Sequence, residues 1–65
     1  MRIGGYQMED LGYGVEVREY KAGWSFWLQG DDAEVFRCEW KVWQLKCSNN
    51  FAEFLSAHEY NTLFQ

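Results

Sequence analysis

Three side chains in this chain carry soft-ligand or nucleophile chemistry: Cys38, Cys47 and His58. They show neither C-x-x-C nor H-x-x-x-H spacing, and they are too few to complete the four ligands of a structural zinc site, so no metal is expected. A Cys47–His58 pair would make a nucleophile and its base if the fold brought them within reach. Helical spacing instead places Cys47 in line with Phe36, Trp40 and Trp43, where a buried cysteine acts as a small hydrophobe. Adjacent carboxylates at Glu9-Asp10 and Asp31-Asp32 could share a proton. Both pairs lie near glycines, in the setting of solvated turn and capping residues. The glycines form no G-x-G-x-x-G or P-loop, so no phosphate cradle and no cofactor are expected. A chain of 65 residues also has little volume in which to enclose a substrate. The expectation is a protein that is not an enzyme.

The elements that would position these groups are organised around Gly23-Trp24-Ser25-Phe26-Trp27-Leu28-Gln29-Gly30. Alternation along a strand puts Trp24, Phe26 and Leu28 on one side and Ser25, Trp27 and Gln29 on the other. Trp27 interrupts the polar side. It is either covered by a neighbouring side chain or the N-terminal segment, or exposed as an aromatic anchor for a partner, a role in which tryptophan is enriched. Before this stretch, Tyr13, Val15 and Val17 alternate with Glu16 and Arg18, and Lys21-Ala22-Gly23 supplies a turn. The pattern predicts a β-hairpin, 13–20 with 24–29. Residues 1–12 read as an extended arm or an irregular edge strand, since Gly4-Gly5 and Gly12 interrupt any regular period.

Residues 31–47 carry two patterns. Phe36, Cys38, Trp40 and Val42 alternate as in a strand, which would make a third strand of a meander. Ala33, Phe36, Trp40, Trp43 and Cys47 follow one helical stripe. The capping-box spacing of Asp31 and Glu34, an uninterrupted run of about fifteen residues and Lys46 near its end decide for a helix of about 32–47. Asn50 and Glu53 repeat the cap spacing and open a second helix, about 51–64, with Phe51, Phe54, Leu55 and His58 on one face and a kink near Asn61. The fold class expected is therefore α+β: a small antiparallel sheet with both helices packed on one face, in one domain spanning 1–65. A domain this small buries only about 60% of its unfolded surface. The 20% aromatic content is read first as compensating core material.

The net charge is −4. Acids concentrate in residues 1–34, whereas Arg37, Lys41 and Lys46 cluster just after them. Such a balance disfavours direct nucleic-acid or anionic-membrane binding, which needs a basic patch, and suits a protein partner with a basic surface. The first residues contain no apolar run of the secretory kind, and no segment reaches membrane-spanning length. With two unpatterned cysteines, a cytoplasmic location is expected.

In size, aromatic density, lack of a catalytic set and acids such as Glu9, Asp10, Asp31, Asp32 and Glu34, the chain resembles the small acidic inhibitors encoded by bacteriophages and mobile elements, anti-CRISPR proteins among them. The resemblance implies a non-enzymatic inhibitor that occupies a basic nucleic-acid-binding surface of a host Cas effector. Its partner-binding residues would be Glu9, Asp10, Asp31, Asp32 and Glu34, with Trp27 as the aromatic anchor. The alternative is a structural or accessory module that self-associates, as a homodimer, through exposed aromatic surface around Trp27.

Overall fold

The computed structural model describes residues 2–65. Four strands form one antiparallel sheet in sequence order: β1 (Arg2–Ile3), β2 (Tyr6–Asp10), β3 (Gly14–Glu19) and β4 (Ser25–Gln29). Two helices follow, α1 (Asp31–Lys46) and α2 (Phe51–Ala57), then a 3-10 turn (Tyr60–Leu63). This is the expected α+β architecture, with a larger sheet than the hairpin alone. Gly4-Gly5 does not break an arm. It is the two-residue turn that folds β1 onto β2, with Gly4 at φ 58°.

The predicted hairpin is present, β3 one residue shorter than expected at each end and β4 one residue shorter at its start. Glu19 N–H donates to the Trp24 carbonyl at 2.8 Å, and Gly23, at φ 74°, closes the loop back onto Glu19. Tyr13 and Trp24 fall outside the strands and are largely exposed, which corrects their expected core positions. In both cases the chain has left the pleat and alternation no longer aims the side chain.

Val15, Val17 and Phe26 turn inward onto Ala33, Phe36 and Trp40 of α1 and Phe51, Phe54 and Leu55 of α2. Phe36 is wholly buried and meets the rings of Phe26, Phe51, Phe54 and Tyr60 at centroid distances of 4.8–6.3 Å. Edge-on ring packing of this kind gives a small core its largest apolar burial per residue.

Residues 31–46 are helical, as the aromatic stripe indicates. The cap differs from the expected capping box. Gly30, at φ 61°, is the N-cap residue, no side chain caps the helix, and Asp31 is its first residue. A left-handed glycine lets β4 enter α1 with no intervening loop. The Asn50 cap is as expected, its Oδ1 accepting from Glu53 N–H at 3.0 Å. The second helix is shorter than predicted, because it ends at Ala57 and Glu59 adopts φ 63°. That reversal, rather than a kink near Asn61, starts the 3-10 turn. It returns Tyr60 and Phe64 to Phe26, and Gln65 exchanges backbone hydrogen bonds with Ser25 at 3.1 and 3.2 Å.

Candidate functional site

With both helices on the inner face, the sheet's other face is open. The register puts Glu9, Glu16 and Trp27 in one row across β2, β3 and β4, and Gln7, Arg18 and Ser25 in the next. Like charges directly opposite each other on a sheet are destabilising. Arg18 eases the Glu9–Glu16 juxtaposition, its guanidinium lying 3.7 Å from Glu16.

Trp27 is 40% exposed, yet held in place. Its indole N–H donates to Gln29 Oε1 at 2.9 Å, and Tyr13 leans edge-on against it at 5.9 Å. The ring lies across Gly14, close enough that a methyl there would fall 2.2 Å from Cζ2. Glycine at 14 thus provides the floor on which the indole rests flat. Tyr13 covers one side of the Trp27 ring, and the remaining surface is open. A cation over such a face gains about 0.5–1 kcal/mol at an exposed site.

The other expected partner-binding residues divide. Glu9 belongs to the Trp27 row. Asp10 faces the opposite way and accepts a two-pronged pair from Arg37, Nε to Oδ2 at 2.8 Å and one terminal nitrogen to Oδ1 at 2.9 Å. Those hydrogen bonds hold the Asp10 carboxyl below the usual carboxylate range, with the Gly12 N–H adding to the effect. Asp10 thus has an internal partner. Glu34 lies 3.7 Å from the same guanidinium. Asp31, Asp32 and Glu34 form the first turn of α1, where the helix dipole favours negative charge. Glu16 and Tyr13 were missed as site residues. Glu16 becomes recognisable once the hairpin register, rather than the alternation of one strand, is known.

The cysteine and histidine residues come together along α1. Cys38, Trp43, Cys47 and His58 line an open hollow of about 270 Å³. Cys47 is exposed, not buried in the stripe, because it is the C-cap residue (φ −120°, ψ −77°) and its backbone has already left the helix. Trp43 is only partly buried at the same fraying end. His58 is also exposed. Its Nδ1 lies 3.2 Å from Glu39 Oε2, and Tyr60 O–H donates to the other oxygen of that carboxylate. Burial and then this hydrogen bond push the Tyr60 hydroxyl well above the ordinary phenol range. Among the described residues no hydrogen bond joins a thiol to His58, and no group of three or more His, Cys, Asp or Glu side chains could hold a metal ion. Cys38 and Cys47 lie nine residues apart, about 13 Å along the helix axis, beyond disulfide reach. No helix among the described residues is long and apolar enough to cross a membrane.

No family model, curated protein or solved structure matches this chain.

Proposed function

We propose that the chain is a non-enzymatic protein-binding inhibitor that docks onto a basic surface through the open face of its sheet. The observation that carries this reading is the Trp27 indole, held against Gly14 by its bond to Gln29 and in the same row as the Glu9–Glu16 pair. An aromatic plane bordered by two carboxylates accepts an arginine or lysine by stacking and charge together. A protein whose cations ordinarily bind nucleic acid is the matching partner, and cover of that surface is the inhibitory act. The resemblance in size and composition names a CRISPR–Cas effector as one such partner.

The test is capture of a partner from bacterial lysate, followed by affinity measurements between roughly 50 and 300 mM salt, a range over which the screening length shortens about 2.4-fold. Affinity should fall steeply with salt, Trp27→Ala should weaken it, and nucleic acid should compete. A flat salt response, or binding indifferent to Trp27→Ala, refutes the reading.

A further inference from the structure

β4 is an edge strand of five residues, and the other edge, β1, has two. The direction of its backbone groups is fixed by three contacts. Glu19 N–H bonds the Trp24 carbonyl and Gly30 N–H bonds the Tyr13 carbonyl, so even-numbered residues of this segment face β3. Ser25 instead exchanges both its groups with Gln65, on the far side. Strand geometry then points the N–H and C=O of Trp27 and Gln29 outward with Ser25. Among the described residues no backbone bond takes them up. β4 holds no proline, no lysine and no bulge to block pairing, and the cover that Gln65 gives it stops at Ser25.

The flanks of this edge differ. On the outer side are Trp27 and, in the same row, Glu16. On the inner side Leu28, Val35 and Leu63 border an open hollow of about 330 Å³ that also contains Asp32. Val35 is 52% exposed and Leu63 39%. No lysine or arginine occurs between Lys21 and Arg37, while Asp31, Asp32 and Glu34 do.

We propose that the free half of β4 accepts an extended segment of the partner as an added strand, in which cationic and apolar residues alternate. This rests on the protein-binding reading above and names the form of the partner's contact. Trp27 and Gln29 supply the main-chain hydrogen bonds. Residues of the added strand on the outer side meet Trp27 and Glu16 and are lysine or arginine; those on the inner side meet Leu28, Val35 and Leu63 and are apolar. Strand addition takes affinity from the main chain and selectivity from such alternate pockets. A second copy of this chain suits the edge less well, because it would add Asp31, Asp32 and Glu34 and, between positions 22 and 36, no lysine or arginine.

The test uses the whole chain and a fluorescently labelled short peptide alternating lysine and valine. Controls have the same composition in blocks, and glutamate in place of lysine. The alternating peptide should bind at least about tenfold tighter than either control, a difference of about 1.4 kcal/mol. Gln29→Pro removes an outward N–H, whereas Gln29→Ala removes the side chain and keeps it. Binding should fall about tenfold further in the first than in the second, the scale of a lost hydrogen bond plus a proline misfit. If Gln29→Pro does not fold, amide exchange in the unmodified chain decides: peptide must protect the Trp27 and Gln29 amides. Equal binding of blocked and alternating peptides, unprotected amides, or a tight dimer that excludes peptide overturns the inference. Salt-sensitive capture of a folded basic partner that survives in Gln29→Pro would overturn it while leaving the proposed function standing.

Discussion

Gly14→Ala isolates the platform under Trp27 with a single methyl group. Gly14 is not in the left-handed region, so alanine fits its backbone. The new carbon would lie 2.2 and 2.3 Å from Cζ2 and Cη2 of Trp27, and 2.9 Å from the Leu28 carbonyl oxygen. Carbon atoms rest about 3.5–4.0 Å apart, so the ring must move by more than an ångström. The Leu28 oxygen belongs to the paired strand and cannot move so freely. Overpacking of this kind costs about 1–3 kcal/mol, against about 0.4–1 kcal/mol regained because alanine restricts the unfolded chain. The net loss is about 1–2 kcal/mol, which lowers Tm by about 5–15 °C in a domain of this size. Urea and thermal unfolding followed by circular dichroism measure it, and tryptophan emission should shift red as the indole lifts into water. In a Trp27→Ala background the ring conflict is gone, so the same substitution should cost less than half as much. A Gly14→Ala protein as stable as the parent, with unchanged emission, refutes the platform.

Phe36→Ala removes the ring on which four others converge, at about 3–5 kcal/mol, comparable with all the stability a core of this size supplies. Near-ultraviolet dichroism should show a chain largely unfolded at 25 °C. Asp10 contributes stability in the other direction of pH: its folded-state pKa lies below its unfolded value, so the contribution is complete above the ordinary carboxylate range and disappears as pH falls through the depressed value. An acid titration of stability should therefore flatten in Asp10→Asn. Tyr60 holds its proton more tightly folded than unfolded, so its contribution is complete below about pH 10, the unfolded value, and is lost progressively above it. Tyr60→Phe should remove that alkaline decline, as read from Tm against pH.

The parts of the fold visible in the sequence are those where one strong period operates alone. Val15 and Val17 set β3, and Phe36 and Trp40 fix the buried side of α1 despite the competing alternation. The Asn50 cap was visible because its geometry is local. What escaped depends on backbone reversals. Gly4-Gly5 looked like an interruption and is a turn; Glu59 takes a left-handed conformation that its side chain does not advertise; Cys47 continues a stripe on paper after its backbone has left the helix. The candidate site was half visible. Trp27 stands out on any polar face, but Glu9 and Glu16 become its neighbours only through pairing between strands. Asp10 looked like surface charge because its partner, Arg37, is 27 positions away.

The bridge from Gln65 to Ser25 has an effect on assembly. Two copies that met edge to edge could not zip along the whole strand, because one rung is already occupied from within the chain. What remains unpaired is two residues long, too short to template an open-ended ribbon. Loss of Phe64 and Gln65 would free that rung and lengthen the unpaired edge.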